Sequence, residues 1–339
     1  MENPTRNIEH RRRPGPDFLC IGAQKGGTQW LYDQLQYHPD FWMPPIKELH
    51  YFDFPSMRAQ QAKVLYNRAA ADLSEINEER DADSNRPLEA RDLEFLKAFV
   101  QLTAGRKSRV SVPLWKASSL ISRFVPGYSR FHHDVVRPTL MVRGQPDFLG
   151  YARLFEWKGR AVSGDITPAY SSILTSDIVQ GIMKAFPRLK VVYIARDPVE
   201  RFWSAINMRA GKGHGWPEDR AALHRLLKEP GYTDRSHQTQ IVARWRRFVP
   251  AEDFGLFLFD DLVADAATFR RSMLTFLGGD PDKPSGALPP DFNRKGSSSK
   301  RPLSDEFRQL LSQLLTDELR KSAEEFGGSA TNWPKKYGL

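Results

Sequence analysis

A chain of 339 residues, 40% of them hydrophobic, has the material for one large α/β domain or two modest ones. No apolar run approaches the ~18–20 residues needed to span a bilayer as a helix, and a single cysteine, Cys20, excludes an intramolecular disulfide or a multi-cysteine metal site. The formal charge of +9 suits anionic ligands: nucleotides, phosphorylated or sulfated compounds, or nucleic acid.

Residues 1–16 are polar, contain Arg11-Arg12-Arg13 and lack the apolar stretch of a secretory signal, so a disordered basic tail and a cytoplasmic location are expected. Residues 18–22 read as a buried strand, with Cys20 a small interior side chain rather than a nucleophile. A glycine-rich turn and a helix over 28–36 follow. From about 54 to 160 the strand–helix rhythm breaks, which predicts an insertion, either a lid or acceptor platform or a peripheral elaboration. Within it, 72–92 is highly charged and reads as exposed helix or loop, and 93–102 as helix. Trp115, Phe124, Tyr128, Phe131, Phe148 and Tyr151 form either a small core or a stacking surface for an acceptor, and His132-His133 is expected to be exposed.

The rhythm then resumes. A short strand is expected over 161–164 and a helix over 176–186, with Ser176 at its N-cap and Pro187 beyond its end. The β-branched run 191–195 is the clearest strand, and Pro198 opens a helix over 198–209. A strand over 254–259 and a helix over 266–277, stopped by Gly278-Gly279, come next. Leu303, Phe307, Leu310, Leu311, Leu314, Leu315 and Leu319 make one stripe of an amphipathic helix over 303–326. The alternation predicts a three-layer α/β fold with a central parallel sheet, in one domain from residue 17 onward.

Open α/β sheets bind ligands at the carboxyl ends of their strands, and three motifs fall there. In Gly22-Ala23-Gln24-Lys25-Gly26-Gly27-Thr28 the two outer glycines have the spacing of a Walker A loop, but Thr28 follows Gly27 directly and the lysine sits inside the loop. Glycines and a helix N-terminus suit a phosphate. Arg196, at the end of the third strand, and Ser204, two helical turns later, could clamp a second phosphate. A basic, hydroxyl-rich loop from Asn293 to Arg301 precedes the last helix.

Together these residues resemble the family of sulfotransferases that use 3′-phosphoadenosine 5′-phosphosulfate (PAPS). Gln24-Lys25-Gly26-Gly27-Thr28, with Gln29, is similar to the family's 5′-phosphosulfate loop, and Arg196-Asp197-Pro198 through Ser204 to its 3′-phosphate motif. Lys295, Gly296, Ser297 and Lys300 match its late phosphate-contacting loop more loosely. Lys47-Glu48-Leu49-His50-Tyr51-Phe52 and Gly164-Asp165-Ile166-Thr167-Pro168-Ala169-Tyr170 resemble the heparan-sulfate glucosaminyl branch and its bacterial relatives. The resemblance implies PAPS as co-substrate, no metal, Lys25 as the catalytic cation and Glu48 as base, while the near-neutral pKa of a free imidazole makes His50 the rival base. The lysine that often precedes the family's threonine is Ile166 here, which leaves Lys47 as a replacement. The implied acceptor is a small molecule or glycan. The alternatives are a P-loop nucleoside kinase or NTPase, for which Phe257-Leu258-Phe259-Asp260-Asp261 would be the Walker B strand, and a nucleic-acid-binding protein.

Overall fold

The computed structural model describes residues 15–53, 55–79, 86–104, 146–286, 288–291 and 300–339. Four strands, β1 (Phe18–Gly22), β2 (Gly164–Ile166), β3 (Lys190–Ala195) and β4 (Phe254–Leu258), pair in parallel in the order β2-β1-β3-β4. Leu19 lies opposite Asp165 on one side and Val191 on the other, and Ala195 opposite Leu258.

Successive residues of a strand point to opposite faces, and both faces of this sheet are covered. Leu19, Ile21, Val191, Tyr193 and Ala195 join one buried cluster, with Val179, Ile182, Val199, Phe202, Ile241, Trp245 and Leu319. Phe18, Cys20, Val192 and Ile194 join the other, with Leu31, Leu35, Phe269, Met273 and Leu277. The helices Ser176–Ala185, Pro198–Arg209 and Gln238–Arg246 thus lie on the first face, and Thr28–Gln36 and Ala266–Leu277 on the second. This is the expected three-layer α/β fold. Burial pushes the Cys20 thiol up to about 12, in keeping with an interior packing role.

The helices Thr28–Gln36, Pro198–Arg209 and Ala266–Leu277 have the expected bounds. Three other expectations need correction. The second strand starts at Gly164 rather than at 161 and includes a charged residue, Asp165, while Val162 makes only an isolated bridge to Phe41. Thr175, not Ser176, is the N-cap of its helix, whose first bond runs from the Val179 amide to the Thr175 carbonyl (3.0 Å). The C-terminal stripe is carried by two helices, Asp305–Leu314 and Thr316–Phe326. At their junction the Thr316 hydroxyl donates to the Ser312 carbonyl (2.8 Å), a back-bond that bends helices.

The stretch 72–92 is not wholly exposed. Asp92 is fully buried, taking two short bonds from Arg86 (2.6 and 2.7 Å) and one from the Trp42 indole (3.0 Å). Helix Ala90–Ala104 extends the expected 93–102 and sends Phe95, Leu96 and Phe99 into the same cluster as Trp42 and Tyr51. Tyr151 is a core residue and Phe148 packs against that core. Trp115, Phe124, Tyr128, Phe131 and His132-His133 lie outside the described residues.

Candidate functional site

The strand order places β1 and β3 side by side, with β2 and β4 outside them, so the chain leaves β1 and β3 toward opposite edges. The crevice between their carboxyl ends is where such sheets take ligands. The loop after β1 is pinned there. The Ala23 amide donates to the Ile194 carbonyl (2.9 Å), and the Gly26 amide closes a turn on the Ala23 carbonyl (2.9 Å). A Cβ on Gly26 would lie 2.4 Å from the Ile194 carbonyl oxygen, closer than any side chain can sit. Gly27 takes a left-handed φ of 90° as N-cap of helix Thr28–Gln36 and offers no side chain to the first-turn amides.

Arg196 follows β3 and turns back onto this loop. Its NH1 donates to the Lys25 carbonyl (2.9 Å), and its guanidinium stacks 4.5 Å from the Phe259 ring centroid. Gln238, which is fully buried, holds the Arg196 backbone on both sides: its amide group donates to the Arg196 carbonyl (2.6 Å) and its oxygen accepts the Arg196 amide (3.1 Å). Ser204 is half-buried on the helix that begins at Pro198. The first two motifs therefore meet, as their spacing predicts.

Four cations gather around the loop. The Lys25 ammonium is pulled below its ordinary pKa by burial and then by Lys300, Arg196 and Lys47, with only Glu48 opposing. Arg196 is likewise lowered, by burial. Lys300 is exposed, while Lys295, Gly296 and Ser297 lie outside the described residues. The flanks of that segment are anchored on both motif helices. Trp30 and Gln34 donate to the carbonyls of Pro290 (2.6 Å) and Pro289 (2.8 Å), and Trp203 and Asn207 to that of Arg301 (2.8 and 3.1 Å). Gln24 is half-buried, Thr28 buried, and Gln29 exposed with its amide on Asp33 (2.9 Å).

Glu48 and His50 adjoin this cluster as an ionic chain. Lys47 Nζ is 2.9 Å from Glu48 Oε1, and His50 Nε2 and Arg58 NH2 are 3.4 and 3.5 Å from Oε2. His50 Nδ1 lies 2.7 Å from Asp53 Oδ2. Burial alone would raise the Glu48 pKa, but His50 and Lys47 overcome it and hold the carboxyl well below the usual carboxylate range. Burial alone would lower His50, yet Asp53 and Glu48 raise it to about 9. Among the described residues, the non-glycine ones with left-handed φ are Lys25 (72°), Glu48 (62°) and His50 (51°), the same three that the sequence motifs single out for catalysis.

Arg58 and Asp53 escape sequence reading, and Asp165, quoted there only within a motif, is given no role by it. Arg58 comes from helix Pro55–Ala71, at the start of the region read as an insertion, and also donates to the Glu48 carbonyl (3.0 Å). The Walker B expectation is not met in form: the strand ends at Leu258, and Asp260 and Asp261 lie on helix Phe259–Ala264.

Comparison with known proteins bears on the same residues. The Sulfotransferase family model matches residues 16–282. No curated protein sequence matches the chain. Among solved structures, a sulfotransferase from Alicyclobacillus acidocaldarius superposes with a TM-score of 0.54 at 18% identity, covering 94% of this chain and 98% of that one. A second, from Mycobacterium avium, gives 0.39 at 12% identity over 90% of this chain and 68% of that one. At such identities the first likeness concerns the fold, and it agrees with the parallel sheet described above. The family match spans both phosphate-type motifs and the Lys47–Glu48–His50 segment, and on it the chain belongs to the sulfotransferase family.

Proposed function

We propose that this sulfotransferase takes PAPS as donor and passes its sulfuryl group to a hydroxyl or amine of a small-molecule or glycan acceptor by in-line displacement. The observation that carries the donor reading is the convergence of Lys25, Lys47, Arg196 and Lys300 on a loop with no room for a side chain at Gly26. Positive charge gathered this densely in one crevice is relieved by a ligand with anionic groups at two ends. The phosphosulfate would lie on Lys25 and the first turn of helix Thr28–Gln36, and the 3′-phosphate on Arg196 and Ser204, with Lys295, Gly296, Ser297 and Lys300 closing over it.

In the reaction the acceptor atom bonds to sulfur as the bond from sulfur to the bridging oxygen breaks. Lys25 stabilises the charge that builds on that oxygen and on the departing phosphate. Glu48 takes the acceptor proton. His50, with a pKa near 9, already carries a proton at neutral pH, which removes it as the base and makes it the partner that orients Glu48.

Calorimetry with 3′-phosphoadenosine 5′-phosphate (PAP), the reaction's nucleotide product, against magnesium-ATP tests the donor. Binding of PAP in the micromolar range or tighter with negligible ATP binding is expected. The reverse order would overturn the proposal and return the chain to the kinase or NTPase reading. Screening labelled PAPS against glycans, phenols and lipid head groups then identifies the acceptor.

A further inference from the structure

Glu48 and His50 both hold positive φ with one residue between them. For residues that carry a Cβ, such torsions are unfavourable, so the surrounding contacts must impose them. The two amides that alternate with the strained residues lead to a single buried carboxylate. The Leu49 amide donates to Asp165 Oδ1 (3.4 Å). The Tyr51 amide donates to the Tyr170 hydroxyl (2.8 Å), which in turn donates to Asp165 Oδ2 (2.9 Å). The Thr167 hydroxyl (2.7 Å, to Oδ1) and the Tyr151 hydroxyl (3.1 Å, to Oδ2) complete its surroundings. Asp165 is 1% exposed, in mid-β2, and paired with Leu19 of the central strand. It therefore ties the 47–51 segment to the buried centre of the sheet.

We propose that Asp165 is a positioning residue for the transfer reaction: with Tyr170 as relay, it imposes the backbone conformation that sets the Glu48 carboxylate and His50 imidazole at the acceptor side of the site. This rests on the assignment of Glu48 as base. A carboxylate needed only for folding would depend on Tyr151 and Tyr170 alike, since both are fully buried and both donate to the same oxygen. Of the two, Tyr170 is the one that accepts the Tyr51 amide.

The test compares Tyr170→Phe with Tyr151→Phe in the full chain, following the His50 imidazole through a pH titration by NMR and PAP affinity by calorimetry. In the unaltered protein Asp53 and Glu48 raise the His50 pKa to about 9, against burial. Tyr170→Phe is expected to lower that midpoint by about one pH unit or more, as Glu48 and Asp53 lose their register with the ring, while PAP affinity stays within about twofold. Tyr151→Phe is expected to leave the midpoint in place. Asp165→Asn, which replaces one acceptor oxygen with a donor, should shift His50 in the same direction as Tyr170→Phe and serves if that variant does not fold. Equal shifts in both tyrosine variants, no shift in Tyr170→Phe, or PAP binding that weakens together with the shift would each overturn the proposal. Failure of the unaltered protein to bind PAP would instead sink the donor assignment, and the His50 titration would still decide the role of Asp165.

Discussion

Glu48 is an anion held by three cationic partners, and that makes it a weak base until something releases it. Lys47 at 2.9 Å and His50 at 3.4 Å are the main contributors to its depressed pKa, against the opposing effect of burial. Lys47 is also among the cations whose charge lowers the Lys25 pKa, so the two lysines share one field. On the proposed donor reading, a bound phosphosulfate would compete with Glu48 for Lys47 and so would raise the basicity of the carboxylate. Glu48→Gln keeps the shape and removes the base. Turnover with labelled PAPS should drop by roughly a hundredfold or more, and PAP affinity should stay within about twofold. Undiminished turnover would take Glu48 out of the proton transfer.

At the scale of elements, legibility follows local chemistry. Helix Pro198–Arg209 is readable to the residue because Asp197 caps it, accepting from the Val199 (2.9 Å) and Glu200 (3.3 Å) amides, and Pro198 sets its first turn. β2 is hard to place from sequence because an aspartate inside a strand runs against β propensity, and only its tertiary partners, among them two tyrosines and a threonine, make it tolerable. Lys25 and Arg196 are legible because each sits in a motif of fixed spacing at the end of a strand, the pattern expected of a phosphate site. Arg58 is not, because it reaches Glu48 from a separate helix with no periodic signal to aim it. Arg201 shows the same limit on the Pro198–Arg209 helix. It is fully buried, donates from NH2 to the Ser236 hydroxyl (2.7 Å), and its Nε and NH1 lack a hydrogen-bond partner among the described residues. Burial pulls it down to about 10. A buried charge so poorly compensated costs stability, so Arg201→Met should be neutral or stabilising by about 1–4 kcal/mol in urea denaturation. Ser236 keeps its own bond to the Tyr232 carbonyl (2.8 Å) in that variant. A loss of more than about 2 kcal/mol would mean that the guanidinium is paired after all.

For the molecule as a whole, the candidate site is also a part of its stability, and pH separates the two contributions. His50 is raised from 6.5 to about 9 on folding, held between Asp53 and Glu48. A value higher in the folded than in the unfolded chain means that its stabilisation is complete below about 6.5 and is lost as pH rises through about 9. The full shift corresponds to roughly 3 kcal/mol at most, and the Glu48 share of it is the same ion pair that lowers Glu48, so it counts once. Glu48 acts at the other end of the scale: its depressed value contributes stability above the ordinary carboxylate range that is lost on acidification. Between these limbs, near pH 6, both groups are charged and the chain of ion pairs is intact. Urea denaturation at pH 6.5 and pH 9.5 should therefore show the native protein losing about 1–3 kcal/mol more than His50→Gln over that interval. The variant lacks the titrating ring but not the other groups that ionise there, so the difference isolates His50. An equal loss in both proteins would mean that the imidazole is not held protonated by its two carboxylates, and the exclusion of His50 as base would go with it.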